Sequence, residues 1–345
     1  MSATDTIETY AFARAGLIGN PSDGYFGRTI SVVVENFAAR VTLIESEKLT
    51  LTPEPCDRTA FTDIGEMLRT IDRHGYYGGI RLVKAAIKQF HNYCTSAEIT
   101  LPQRNFTLSY RSDIPVRVGL AGSSAIVTAV FRALMQFYEV AIDQPVLPGL
   151  ILAAERDELG IAAGLQDRVI QVYEGAVYMD FKREIMQAQG YGNYEYIAPE
   201  KLPPLFVAYN QYLAEGTEVT HNNLRERYNR GEAALLVGIE RWAQITQQAR
   251  ELIESGRGKE IGPLMDENFD LRTKLSHVSN GNKELVAVGR RCGAAVKLAG
   301  SGGAVIGTYD GDPDRLQRLR AAYGRIGATV IIPKISPPQR AALSV

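Results

Sequence analysis

The hydrophobic pattern along this chain changes period repeatedly, and each change marks an element. Ala11 to Ile18 is short and mostly apolar and reads as a strand, closed by the turn residues Asn20-Pro-Ser-Asp-Gly24. Thr29 to Val34 and Ala38 to Ile44 read as the two strands of a hairpin, with Glu35 and Asn36 near its bend. Apolar residues at helical spacing run from Ile80 to Tyr93, and Phe106 to Ser112 alternates as a strand does. Ile126 to Tyr138 is again helical, as is Pro148 to Leu159. Val169 to Phe181 holds strand-like pieces around Gly175, and Leu205 to Tyr212 reads as a further strand.

The C-terminal part is more regular. Glu232 to Ile253 is a long amphipathic helix, and Glu284 to Arg291 is a helix that stops at Gly293. Ala294 to Leu298 and Ala304 to Tyr309 are strands flanking Gly300-Ser-Gly-Gly303. Asp312-Pro-Asp-Arg315 opens a helix with proline in its first turn, and Thr329 to Ile335 is a closing strand. The order α-β-β-α-β is most of a ferredoxin-like sandwich. With 345 residues, too many for one simple core, the chain suits two lobes of mixed α+β structure. Pro203 and Pro204 mark the neighbourhood of the boundary, giving domains 1–202 and 203–345.

Composition narrows the classes. A hydrophobic content of 45% with 22% charged residues is that of an ordinary globular protein, and a net charge of −1 leaves no basic footprint for nucleic acid. Cys56, Cys94 and Cys292 are scattered without a CxxC pair, which argues against a disulfide framework or a zinc site and fits a reducing cytoplasm. Met1 to Tyr10 is polar and acidic, unlike a signal peptide, and no apolar run approaches the ~18 residues of a membrane helix. Oligomeric state is not legible. The four histidines (His74, His91, His221, His277) have no metal spacing.

The chemistry-bearing stretch is Gly119-Leu120-Ala121-Gly122-Ser123-Ser124-Ala125, running straight into the helical segment that follows. A small-residue loop feeding a helix N-terminus gathers unpaired amide groups and the positive helix end at one point, and its glycines let a phosphate approach the backbone. It therefore reads as a cradle for a nucleoside triphosphate, although no Gly-Lys-Ser/Thr follows as in a Walker A loop. The bland alternative is a serine-capped helix after a glycine turn.

Three separated motifs together resemble the GHMP kinases: Ala13-Arg-Ala-Gly-Leu-Ile-Gly-Asn-Pro-Ser-Asp23, the Gly119 to Ala125 loop, and Lys297-Leu-Ala-Gly-Ser-Gly-Gly-Ala304. The order and spacing match over nearly the whole chain. The loop carries one small residue more than the common Gly-Leu-Gly/Ser-Ser-Ser-Ala pattern, and that variant is similar to the plant glucuronokinase branch. So are Gly19-Asn-Pro-Ser-Asp-Gly-Tyr-Phe-Gly-Arg-Thr-Ile30, Gly75-Tyr-Tyr-Gly-Gly-Ile-Arg-Leu82, Ala163-Gly-Leu-Gln-Asp-Arg168 and Met265-Asp-Glu-Asn-Phe-Asp-Leu-Arg272.

The resemblance implies the two-lobed α+β GHMP kinase fold, with a ribosomal protein S5 domain 2-like N-terminal domain and a ferredoxin-like C-terminal one. It implies an ATP-dependent, Mg²⁺-dependent sugar-1-kinase acting on a hexuronate, D-glucuronate above others. By the same likeness Asp167 is the catalytic carboxylate and Arg14 the catalytic cation. Ser124 and Glu155 are the metal ligands, with Asp157 and Glu158 competing for the second place. Asp23 matches a sugar-hydroxyl ligand of galactokinase-like members, while Asn20 and Pro21 depart from that group's Glu-His pair. Gly300, Ser301 and Gly302, with Gly164, back the substrate. Tyr25 is a sugar contact, and Arg28, in the substrate turn, is the candidate partner of the uronate carboxylate. Tyr76 and Tyr77 border either an adenine pocket or a packed aromatic cluster. Kinases for another sugar or small alcohol, a catalytically silent sensor on the same fold, and a decarboxylase using the same cradle remain as rivals.

Overall fold

The computed structural model describes residues 6–54, 57, 59–74, 78–213 and 224–338. Cys56, Tyr76, Tyr77 and His221, and the side chain of His74, lie outside the described residues.

The N-terminal sheet is organised by one very long strand. β1 (Ile7–Ile18) runs antiparallel along one edge of β2 (Arg28–Ser46). The other edge of β2 is shared: β5 (Ala176–Asp180) pairs with residues 28–32, and β4 (Asn105–Ser112) pairs with residues 39–46. The short strands β3 (Thr50–Thr52) and β6 (Asn193–Tyr196) close the two ends, giving the order β3-β4-β2-β5-β6 with β1 off that path.

The hairpin expected over residues 29–44 is therefore not present. Phe12 pairs with Ala38 and Ala13 with Val34, so residues 35–37 are a bulge within β2 rather than a turn. The polar pair that suggested a bend serves another end of the chain. The Asn36 amide donates to Ile332 O at 3.1 Å and accepts from Lys334 N at 2.8 Å, while the Glu35 carboxylate accepts from the Ser336 hydroxyl at 2.9 Å. That also explains the short closing strand. β10 is only Thr329–Ile331, because the residues beyond it leave the sheet and hook onto the bulge.

Helices α1 (Ile64–His74), α2 (Ile80–Ser96), α3 (Gly122–Tyr138), α4 (Leu147–Arg156), α5 (Gln166–Tyr173) and α6 (Arg183–Gln189) complete this half. α3 packs on β1 and β2 through Ala125, Val127, Val130 and Phe131, all fully buried. The strand-like reading from Val169 onwards holds only after Gly175. Residues 168–172 are all buried, and the short apolar run Val169–Val172 of a buried helix cannot be told from a core strand by its pattern.

The second sheet has the antiparallel order β10-β7-β9-β8, with β7 (Leu205–Tyr209), β8 (Ala295–Leu298) and β9 (Ala304–Thr308). Its helices are α7 (Ala233–Glu254), α8 (Gly262–Leu275), α9 (Asn280–Arg291) and α10 (Pro313–Gly324). Asp312 caps α10, accepting from Asp314 N at 3.1 Å ahead of the first-turn proline, as expected. The α+β arrangement with a four-stranded ferredoxin-like sheet matches the sequence reading.

One hydrophobic cluster runs from one sheet to the other, joining Leu17 of β1 and Phe131 of α3 to Trp242 of α7 and Ile306 of β9. The Trp242 indole is fully buried and donates to Asn268 O at 3.2 Å. This shared core fixes β1, the head of α3 and the β8–β9 loop against one another, and the candidate site forms where those three meet.

Candidate active site

The glycine loop enters α3 through Ala121, which sits in left-handed backbone conformation (φ 62°) immediately before the helix. Its carbonyl is held by the Gln171 amide at 2.9 Å and by the Ser124 hydroxyl at 3.2 Å. The first-turn amides of Gly122, Ser123 and Ser124 have no acceptor within the helix. Leu120 and Ala125 are buried beneath the loop, and Leu120 O accepts from Arg14 N at 3.2 Å, tying the loop to β1.

From the other side comes the Gly300-Ser-Gly-Gly303 loop. A side chain at Gly300 would lie 2.2 Å from Gly119 O, and one at Gly119 would lie 2.9 Å from Gly302 O, so the two glycine loops touch backbone to backbone. The second loop is braced from behind by Arg272, which donates to Gly300 O at 2.8 Å and Ser301 O at 3.1 Å. Gly303 N reaches the Asn282 side chain at 2.8 Å.

Arg14 is the pivot. Its Nε and Nη2 donate to Asp167 Oδ1 and Oδ2 at 2.6 and 2.7 Å, while Nη1 donates to Gly119 O at 2.6 Å and, more weakly, to Ala299 O at 3.3 Å. One buried guanidinium thus orients the carboxylate at the start of α5 and both glycine loops. Asp167 stays partly open to solvent, its side chain 16% accessible.

Asp23 lies beside this pair, in the short helical turn Ser22–Tyr25. It accepts from Gln166 N at 3.2 Å, and a side chain at Gly164 would collide with its Oδ2 at 1.9 Å, so only glycine admits it there. Burial first, and the nearby Asp167 charge second, push the Asp23 carboxyl up to about 6, against the opposing pull of the Gln166 amide, Arg168 and Arg14. Tyr25 closes this wall, buried, with its ring 5.1 Å from that of Tyr228.

Two of the expected site residues have partners that the sequence does not show. Ser124 does not face Glu155: it is fully buried and bonds back to Ala121 O, whereas the exposed Ser123 hydroxyl donates to Glu155 Oε1 at 2.8 Å. The Arg168 guanidinium donates twice to Glu155 Oε2, from Nε at 2.9 Å and from Nη2. Asp157, the first competitor for that place, is exposed and paired with Arg156, and Glu158 is paired with Lys88. Arg28 is engaged within the sheet. Its Nε donates to Asp180 Oδ2 at 2.9 Å across the β2–β5 ladder, so its charge is met within the sheet.

Sequence reasoning attached no role to the residues that brace the site. Arg168 follows Asp167 directly, and Arg272 ends the quoted Met265–Arg272 string, so their positions were visible although their partners were not. Lys297, which opens the third motif, is buried without a carboxylate. It donates to Gly16 O at 2.6 Å, to Leu298 O at 2.8 Å and to Asn20 Oδ1, pinning the substrate turn to β8. Burial, and then the neighbouring charges of Arg272 and Arg14, lower its ammonium well below the usual lysine range.

Comparison with known proteins bears on this geometry. Residues 81–175 match the family described as GHMP kinases N terminal domain. Over 341 residues the chain is 41% identical to glucuronokinase 1 of Arabidopsis thaliana, covering 97% of this chain and 94% of that protein. The chain belongs to the GHMP kinase family. This GHMP kinase is also 40% identical over 338 residues to probable glucuronokinase 2 of the same plant, covering 96% of this chain and 92% of that one. Its fold is shared more widely. The crystal structure of Lactococcus lactis galactokinase complexed with galactose superposes with a TM-score of 0.75 over 97% of this chain and 94% of that one, at 16% identity. The mevalonate kinase of Methanococcus jannaschii superposes with a TM-score of 0.69 over 97% and 99%, at 20% identity. Among the described residues, no helix of this kinase is long and apolar enough to cross a membrane.

Proposed function

We propose that this kinase transfers the γ-phosphoryl group of ATP to the anomeric hydroxyl of D-glucuronate, giving ADP and glucuronate 1-phosphate. The choice of sugar rests on its identity, over nearly the full chain, to proteins named as glucuronokinases. The choice of residues rests on one observation: a single guanidinium, that of Arg14, is bonded to both the Asp167 carboxylate and the Gly119 loop.

Phosphoryl transfer needs positioning and charge neutralisation more than covalent help. The triphosphate lies on the amides of residues 119–125, with Gly300, Ser301 and Gly302 closing over it from the second sheet. Asp167 orients the anomeric hydroxyl and takes its proton as the oxygen attacks the γ-phosphorus in line. Arg14 holds the carboxylate in place and lies beside the charge that develops on the migrating group. Asp23 and Tyr25, with the space left by Gly164, bind the sugar ring. The division at residue 202/203 follows the sheets: the six-stranded one ends with Tyr196, and the four-stranded one begins with Leu205.

The donor set fits Mg²⁺. The Ser123 hydroxyl and Glu155 Oε1 are hard oxygens 2.8 Å apart. Arg168 occupies only Oε2 of Glu155. Bound between Ser123 and Glu155, Mg²⁺ would neutralise phosphate charge.

The test is ADP release over a panel of D-glucuronate, D-galacturonate, D-galactose, mevalonate and homoserine. Turnover is expected on glucuronate above the others. Equal ATP hydrolysis with and without acceptor, or preference for a neutral alcohol, rejects the reading.

A further inference from the structure

We infer that Arg225 is the residue that binds the carboxylate of the sugar, forming an anionic subsite at the outer face of Tyr25. The inference rests on the glucuronate reading and supplies what that reading lacks with Arg28 engaged by Asp180.

A hexuronate differs from a neutral hexose by a carboxylate in place of the terminal hydroxymethyl group on C5, across the ring oxygen from the anomeric carbon. Reading that difference takes a cation with free donors near the sugar wall and away from Asp167. The inner cations do not qualify. Arg14 is bonded to Asp167 and both loops, Arg168 to Glu155, and Lys297 to three oxygens. Arg28 is paired with Asp180.

Arg225, in the helical residues 224–229, is differently placed. It is exposed, and its guanidinium carbon lies 4.9 Å from the centre of the Tyr25 ring. Its Nη2 comes within 3.4 Å of the position a side chain at Gly24 would take. It forms no ion pair among the described residues. A guanidinium stacked on an aromatic face is held in orientation while its edge donors stay available for a bidentate carboxylate. Tyr25 links this cation to the reacting end. Burial above all pushes its hydroxyl up to about 12, with Arg225 pulling it down and the Asp23 charge adding to the rise. Asp23 and Tyr25 share the turn Ser22–Tyr25, and Asp23 accepts from Gln166 N, next to Asp167, so one short turn connects the base for the anomeric oxygen to the Arg225 cation. The remaining cation at this turn, Arg183, stacks 4.2 Å over Phe26 and donates to the Tyr228 hydroxyl at 2.9 Å, so it braces the aromatic wall behind Tyr25.

The experiment is steady-state kinetics with D-glucuronate and its methyl ester for the wild type and for Arg225→Gln, Arg225→Lys, Arg183→Gln and Arg28→Gln. Arg225→Gln is expected to raise KM for glucuronate roughly thirtyfold or more, to leave KM for ATP within about twofold, and to erase the preference for the acid over its ester. Arg225→Lys, which keeps the charge without the planar fork, should fall between. An unchanged KM for glucuronate in Arg225→Gln, or the selective loss appearing in Arg183→Gln or Arg28→Gln instead, overturns the subsite while leaving the proposed function intact. No turnover of glucuronate by the wild type overturns the proposed function, and the subsite with it.

Discussion

Arg14 and Asp167 are 153 residues apart in sequence and meet through two parallel hydrogen bonds, Nε to Oδ1 at 2.6 Å and Nη2 to Oδ2 at 2.7 Å. The pair joins the second residue of the first motif to the head of α5, and the same guanidinium reaches Gly119 O where the two glycine loops touch. If Asp167 accepts the proton of the attacking hydroxyl, Asp167→Asn keeps the shape and loses the base. The expected outcome is a fall in kcat of roughly 10²- to 10⁴-fold with KM for ATP little changed, measured by coupled ADP release. Undiminished turnover would remove Asp167 from the mechanism.

Asp23 gives the fold a pH dependence with a definite sign. Its carboxyl is raised to about 6 by burial and by Asp167, so the folded state holds a proton that the unfolded chain releases near 3.8. Stability from this group is complete below the unfolded value and is lost as pH rises through the folded one. Asp23→Asn, neutral at every pH, should therefore gain on the wild type by about 1.4 kcal/mol between pH 5 and pH 8. Urea unfolding of both proteins at the two pH values measures the difference directly, and a gap that stays constant contradicts the raised value.

The parts of the site carried by contiguous strings were legible in the sequence. The Gly119 loop feeding a helix and the Gly300 loop between two strands each announce themselves through local composition. What was hidden depended on rotation or on distant partners. Ser123 and Ser124 look alike in a string, but 3.6 residues per turn set neighbours about 100° apart, which sends one hydroxyl to Glu155 and the other back to Ala121. Arg28 reads as a free cation in the substrate turn until the β2–β5 register brings Asp180 opposite it. Glu35 and Asn36 have the composition of a bend, and only the docking of residues 332–336 explains why they occupy a strand. The roles expected of Arg14 and Asp167 came from family likeness, and their contact appears only in the fold, since nothing local to either residue names the other.

The difference between the two serines sets a metal test. Ser123→Ala removes the hydroxyl bonded to Glu155 Oε1 and should raise the Mg²⁺ concentration for half-maximal activity by roughly tenfold. Ser124→Ala removes a hydroxyl whose bond is to a backbone carbonyl, and it should change that concentration less than twofold or so. Mg²⁺ titrations at saturating ATP and sugar separate the two, and the reverse ranking returns the metal to Ser124.

Buried charge in this region also sets a stability test. Glu155 is fully buried, and Arg168 is nearly so. Glu155→Ala leaves the buried Arg168 guanidinium with only its longer contact to Asp167 Oδ2 at 3.5 Å and its bond to Gly164 O, which should cost up to about 3–5 kcal/mol. The double variant Glu155→Ala with Arg168→Met should recover much of that loss without recovering activity. Denaturant midpoints for the two variants decide it, and a single variant as stable as the wild type would show that the pair does not hold this part of the fold.

The contact between the glycine loops makes Gly300 sensitive to any added side chain. A methyl group there would lie 2.2 Å from Gly119 O and 2.9 Å from Arg14 Nη1, and neither neighbour is the far end of a freely moving chain, because Arg14 is fixed by Asp167. Gly300→Ala must therefore push the loops apart, at about 1–3 kcal/mol of stability, and it must disturb Arg14 as it does so. Gly149, within α4, has nothing within 4 Å of the same added methyl group and lies on the exposed face. Gly149→Ala should add up to about 1 kcal/mol through helix propensity and leave kinetics unchanged. Thermal melts and kcat/KM for the two alanine variants make the comparison. A Gly300→Ala enzyme with wild-type kcat/KM would mean that the two loops do not act together on the substrate.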